Sequence, residues 1–179
     1  MKKSYAVVTG ASSGIGECFA RRLAKEGYSL VLVARRKERL NRLADELKAE
    51  GTHVVIETAD LSKKDECLHL MSALGDKRIG VFINNAGFGD CGRFADTSLD
   101  KDLDMIDVNI RAVHILTKLV LRKMRSQGGG YLLNVASSAG LIPAGPYMAT
   151  YYASKAYVAS MTRAVARELR EEGSQVYVG

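Results

Sequence analysis

Tyr151 is followed four residues later by Lys155, and on a helix that spacing puts both side chains on one face. A phenol with its ordinary pKa of ~10 is a poor proton donor or acceptor at neutral pH. A cation one turn away stabilises the phenolate and draws that value down. Together the two residues could act as a general acid/base, whereas either alone is an ordinary surface side chain. Of the closely spaced Tyr147, Tyr151 and Tyr152, only Tyr151 has a lysine at this position. Thirteen residues before it stands Ser138, within Ser137-Ser138-Ala139-Gly140.

A second constellation lies near the amino terminus, in Thr9-Gly10-Ala11-Ser12-Ser13-Gly14-Ile15-Gly16. Glycines in such a turn permit positive φ and let backbone approach a ligand with no Cβ in the way. A helix that starts there offers unpaired N–H groups and the positive end of its dipole, which suits a pyrophosphate. The spacing is G-x-x-x-G-x-G rather than the commoner G-x-G-x-x-G. Dinucleotide-binding folds commonly place an acid about 20 residues further on to hold ribose hydroxyls, or an arginine to accept a 2′-phosphate. Here no acid lies between Gly27 and Lys37, and the stretch reads Val33-Ala34-Arg35-Arg36. Arginine forms bidentate, charge-assisted bonds to phosphate. Arg35 and Arg36 therefore point to NADP (NADPH) rather than NAD.

These residues need a scaffold, and short apolar runs alternating with helical patterns supply one. Strands are expected at Tyr5–Val8, Leu30–Val33, Val54–Ile56, Val81–Ile83, Tyr131–Val135 and Val176–Val178. The first helix carries Ile15, Phe19 and Leu23 on one face. The second has Leu40, Leu43, Ala44 and Leu47 at i, i+3, i+4 and i+7. A weaker helix spans 63–74, a long one Leu99 to Arg125, and a last one Thr150 to Glu172. Strands apolar at every position are covered on both faces by helices. Right-handed crossovers then favour an α/β, doubly wound parallel sheet of the Rossmann type, in the order 3-2-1-4-5-6. Its ligands bind at the carboxyl ends of the strands, where Ser138 and Tyr151 can share one crevice.

In order and spacing these motifs resemble the short-chain dehydrogenase/reductase family. The matches are Thr9-Gly10-x-x-x-Gly14-x-Gly16, Asp60-Leu61, Asn84-Asn85-Ala86-Gly87, Asn109, Ser138 and Tyr151-x-x-x-Lys155. The resemblance implies an NADP-dependent oxidoreductase that moves a hydride between the nicotinamide and a carbonyl or secondary alcohol substrate. It implies that Tyr151 gives or takes the proton, and that Lys155 lowers the tyrosine pKa and holds the nicotinamide ribose. Ser138 would orient the substrate oxygen, with Ser137 as the alternative, and Asn109 would hold a water leading from Lys155 to solvent. Gly10, Ser12, Ser13, Gly14, Ile15 and Gly16 would cradle the pyrophosphate. Asp60 and Leu61 would meet the adenine, and Asn85, Ala86 and Gly87 the middle of the cofactor. A non-catalytic NADP-binding module, redox-sensing or scaffolding, is the alternative. Complete Ser138, Tyr151 and Lys155 speak against it.

Length and composition set outer bounds. The 179 residues suit one domain, read as a single NADP-binding Rossmann unit over 1–179 that carries the catalytic residues. Members of the resembled family run longer, with a seventh strand and a substrate-covering segment after the sixth. The native protein is accordingly expected to extend about 60–90 residues past Gly179. The net charge is +6, but basic residues are interleaved with acids along helices, so nucleic acid is not an expected partner. No apolar run approaches a membrane span. Cys18, Cys67 and Cys91 are unpaired in spacing and read as reduced thiols of a cytoplasmic protein, without a metal site. Apolar residues run far round the two long helices: Ile106, Ile110, Val113, Leu116 and Val120 in one, Val158, Met161, Val165 and Leu169 in the other. That surplus suggests a homodimer or homotetramer through 99–125 and 150–172.

Overall fold

Every residue of the strand Ser29–Ala34 (β2) is buried, as its unbroken apolar run requires of a strand covered on both faces. In the computed structural model, which describes residues 4–143 and 145–179, it sits between Tyr5–Thr9 (β1) and Val54–Thr58 (β3). Ile79–Asn84 (β4), Gly130–Asn134 (β5) and Val176–Val178 (β6) continue the sheet on the other side of β1. The order is β3-β2-β1-β4-β5-β6, with every pairing parallel. Both the order and the Rossmann-like architecture agree with expectation.

The pleat sends alternate side chains to opposite faces, and each face has its own core. Val7, Val31, Val33 and Phe82 pack with Leu70, Leu116 and Val120. Those partners come from Lys64–Ala73 (α3) and Val113–Ser126 (α5). Ala6, Val8, Leu30 and Leu32 pack with Ala20, Leu23, Leu40 and Leu43, from Gly14–Lys25 (α1) and Lys37–Ala49 (α2). Ala149–Glu171 (α6) leads from the crevice back to β6 and adds Leu169 to the first cluster.

The helix expected from Leu99 to Arg125 is not uniform. Leu99–Ile106 (α4) passes into a π-helical stretch, Asp107–Ala112, before α5 begins. Its apolar surplus is also mostly core. Val113, Leu116 and Val120 are buried, as are Val158 and Leu169 on α6. Leu99, Leu103 and Ile106 of α4 are the large apolar side chains of the two stretches that stay exposed, together with Tyr157. No helix among the described residues is long and apolar enough to cross a membrane.

Below the crevice, a buried polar cluster ties the central strands to α5 and α6. Asn84 Nδ2 donates to Thr117 Oγ1 (3.2 Å) and Asn134 Oδ1 (2.8 Å). Thr117 Oγ1 donates to Asn134 Oδ1 (3.0 Å), and Asn134 Nδ2 donates to Thr162 Oγ1 (3.0 Å). Asn134→Ala removes three of these bonds and leaves buried donors without an acceptor. We expect a loss of about 1–3 kcal/mol, the usual cost of such orphaned groups. Urea unfolding would show it as a lower midpoint at unchanged slope; an unmoved midpoint would mean the cluster is not part of the stability of this sheet.

Candidate active site

The Thr9 hydroxyl fixes the loops that begin at the carboxyl ends of β1 and β4. It donates to Ile83 O (3.2 Å) and accepts from the N–H groups of Asn85 (2.9 Å) and Ala86 (3.0 Å). Asn85 Nδ2 returns a bond to Thr9 O (3.1 Å). Gly10, at φ +67°, lies so close that a Cβ there would fall 2.8 Å from Asn85 Nδ2. A Cβ on Gly16 would fall 2.3 Å from Gly10 O, so the turn closes only with glycine at both places. Thr9 opens the glycine motif, whose spacing alone assigns it no role. A hydroxyl at the end of an otherwise apolar buried strand was the available signal.

A crevice of about 800 Å³ opens above these loops. Gly10, Ser12, Ser13 and Ile15 line it from the first loop, with Arg35 and Arg36 beyond β2 and Asp60 and Leu61 beyond β3. Asn85, Ala86 and Gly87 line its middle, and Tyr151 and Lys155 line it from α6. Gly14 and Gly16 shape the turn from behind and are not part of the lining. The Ser13 hydroxyl does not cap α1. It accepts from Arg36 (2.8 Å), whose guanidinium also holds Ser12 Oγ (2.9 and 3.2 Å). The first N–H groups of α1 thus have no side-chain cap, and such groups are available to an acceptor from outside the helix. Asp60 Oδ1 accepts from Ser62 N–H (3.2 Å) and the Ser62 hydroxyl (2.9 Å), which sets the turn into α3.

Lys155 is almost fully buried. Its Nζ lies 5.9 Å from the centre of the Tyr151 ring and donates to Val135 O (2.8 Å). Burial holds its pKa below the ordinary lysine value, because the ammonium is the form that loses hydration. An ammonium has three donors, so two remain for the crevice. Asn109 is buried in the π-helical stretch and reaches α6 through protein groups. Its Nδ2 donates to Phe88 O (2.8 Å) and Ser154 Oγ (3.1 Å), and its Oδ1 accepts from Phe88 N–H (3.1 Å). The Ser154 hydroxyl then donates to Tyr151 O (2.7 Å).

Ser138 is less closely joined to the rest. It opens the 3₁₀ turn Ser138–Gly140, is exposed, and lies outside the crevice lining, to which the segment after β5 contributes Val135 and Ala136. The Ser137 hydroxyl is committed to Ala139 N–H (3.2 Å). Phe88, Gly89, Asp90 and Cys91 after β4, and Met148 before α6, also line the wall, and no motif in the sequence marks them.

The three thiols provide an independent check on the crevice. Cys18 and Cys91 are exposed and Cys67 is buried, where loss of solvation pushes its pKa up to about 11. Alkylation of the folded protein is expected at Cys18 and Cys91 and not at Cys67, since the thiolate is the reactive form. Saturating NADPH should slow labelling of Cys91 but not of Cys18, as read by peptide mass mapping. Equal labelling with and without NADPH would count against cofactor binding beside Cys91.

A doubly wound sheet with a glycine turn after β1 and a tyrosine–lysine pair in the same crevice defines a Rossmann-type nucleotide-binding protein. The chain belongs to the short-chain dehydrogenase family, whose family model matches residues 4–179. It is 36% identical over 176 residues to the very-long-chain 3-oxoacyl-CoA reductase of Anas platyrhynchos, covering 95% of this chain and 56% of that protein. A short-chain dehydrogenase from Sphingobium yanoikuyae, solved in complex with NADPH, superposes with a TM-score of 0.90 at 36% identity. The match covers 98% of this chain and 68% of that one. A short-chain dehydrogenase/reductase from Burkholderia phymatum, in complex with NAD, superposes at 0.91 with 32% identity, covering 98% and 63%. The chain therefore spans little more than half the length of the curated relative.

Proposed function

We propose that the protein is an NADP(H)-dependent oxidoreductase acting on a carbonyl or secondary alcohol, with Tyr151 as general acid/base. The observation that carries this reading is that Tyr151 and Lys155 line the same crevice as the glycine turn and the two arginines. Pure binding would need the turn and the arginines but not a buried lysine beside a phenol. The close approach of Gly10 and Gly16 suits a pyrophosphate, and Arg35 and Arg36 suit a 2′-phosphate. When bound, the nicotinamide supplies the hydride.

The protein's part is orientation and the proton. In reduction, Tyr151 gives its hydroxyl proton to the oxygen of the substrate; in oxidation it takes one back. The Lys155 ammonium stabilises the phenolate that results and offers its remaining donors to the nicotinamide ribose. Ser138 orients the substrate oxygen from its exposed turn. Asn109 holds the wall after β4 against α6 and holds a water that links Lys155 to solvent. Asp60 and Leu61 serve the adenine, and Asn85 to Gly87 the middle of the cofactor.

We further propose a homo-oligomer through α4, α5 and α6. The exposed Leu99, Leu103 and Ile106 support it, and a monomeric mass by light scattering at micromolar concentration would count against it. Three free cysteines suit a reducing, cytoplasmic setting. The functional test is loss of NADPH absorbance with a panel of ketones, aldehydes and 3-oxoacyl thioesters. NADPH binding without turnover on any of them would favour a binding module instead.

A further inference from the structure

Gly89 lacks a side chain for a reason its own backbone does not supply. Its φ is not among the positive values that favour glycine, so any L-residue could adopt the conformation. A Cβ there would instead fall 3.0 Å from Tyr151 Cδ2 and 3.4 Å from Cγ and Cε2. The bare backbone of Gly89 is the surface on which the tyrosine ring lies. Tyr151 makes no side-chain hydrogen bond among the described residues, so packing has to set the direction of its hydroxyl.

The segment that carries this surface is pinned on both sides of Gly89. Phe88 is held through its N–H and its carbonyl by the Asn109 amide (3.1 and 2.8 Å). Asp90 is paired with Lys101 Nζ at 2.7 Å. Gly92 N–H donates to Tyr147 O at 2.8 Å. Tyr147 has φ +66° and is the one non-glycine residue with positive φ among those described. Such strain persists where surroundings impose it, and here it turns the carbonyl toward the loop. The loop after β4 is thereby joined to the segment that enters α6, one turn before Tyr151.

We infer that Gly89 is a positioning residue for the proton transfer: its pinned loop forms the seat that aims the Tyr151 hydroxyl, and a side chain there displaces the ring. The inference rests on the role proposed for Tyr151. The approach at 3.0 Å asks the ring to give by a few tenths of an ångström. Since about 1 Å at a reacting group can cost roughly 10²-fold in rate, the expected loss is several-fold, up to about tenfold.

The test compares Gly89→Ala with Tyr151→Phe and with Lys101→Met, which loosens one pin at an exposed ion pair and leaves the seat bare. Isotope-labelled tyrosine rings give one NMR readout, Tyr151 being assigned by its absence from Tyr151→Phe. In Gly89→Ala the Tyr151 ring signals should shift more than those of the other tyrosines. Turnover should fall several-fold, up to about tenfold, while NADPH affinity is kept. Lys101→Met should shift the same ring signals to a smaller extent and raise KM, which keeps the inference testable if Gly89→Ala does not fold. Unmoved Tyr151 signals in both variants, or a shifted ring with parental turnover, would overturn the seat. Parental turnover in Tyr151→Phe would instead overturn the role of Tyr151 itself, a separate outcome.

Discussion

Tyr151→Phe is expected to lower carbonyl reduction by about 10²–10⁴-fold, the usual worth of a positioned general acid, and to leave NADPH affinity nearly unchanged. The substitution keeps the ring on its seat and deletes only the hydroxyl. That hydroxyl has no partner among the described residues, so neither the crevice nor the fold should respond. In free energy the loss is about 3–5 kcal/mol of transition-state stabilisation. Lys155→Met should behave differently, because two purposes are proposed for the ammonium. It lies 5.9 Å from the ring centre and keeps donors facing the crevice, so both turnover and cofactor affinity should fall. Steady-state kinetics and fluorescence titration of NADPH separate these outcomes. A Tyr151→Phe protein with near-parental turnover would rule out the proposed acid.

The scaffold was legible because burial on two faces leaves a compositional mark. Leu30 to Val33 could be nothing but an interior strand, and Gly27 and Gly51 closed the helices around it. The site was legible where chemistry needs a fixed local spacing, as in Gly10 to Gly16 and in Tyr151 with Lys155. The π-helical stretch at Asp107–Ala112 was not. Met105, Val108, Asn109, Ala112, Val113 and Leu116 follow the three- and four-residue steps of an ordinary α-helix. An added residue in a hydrogen-bonded turn leaves that pattern intact. The apolar breadth of α5 and α6 is taken up largely by the core, with Val113, Leu116, Val120, Val158 and Leu169 buried. Periodicity shows which residues are apolar, but not that α5 touches β4, β5, β6 and α3 and so buries Val113, Leu116, Val120 and Met124. Contacts between segments far apart in sequence, such as Gly89 with Tyr151 or Asn109 with Phe88, depend on the assembled fold. A lone glycine in a loop carries no hint of the ring beside it.

Arg35→Asp should erase or reverse a preference for NADPH over NADH. Arg35 and Arg36 both line the crevice beyond β2, but their donors are differently engaged. The Arg36 guanidinium is spread over the Ser12 and Ser13 hydroxyls. Arg35 is exposed and makes no hydrogen bond or ion pair among the described residues, so its fork can take a phosphate without giving up a partner. Hydrogen bonds to a charged group contribute about 1–3 kcal/mol, or roughly 5–150-fold in the ratio of the two dissociation constants. An aspartate at the same place repels the 2′-phosphate and can accept from ribose hydroxyls instead. Arg36→Ala should act on the loop itself: it frees Ser12 and Ser13 and weakens both cofactors, with a smaller change in their ratio. Dissociation constants for NADPH and NADH, measured on the parent and the two variants at one ionic strength, distinguish these roles. Screening by salt should shrink the Arg35 effect, since the pairing is partly exposed. Equal affinity of the unmodified protein for the two cofactors would remove the basis for assigning either arginine to the 2′-phosphate.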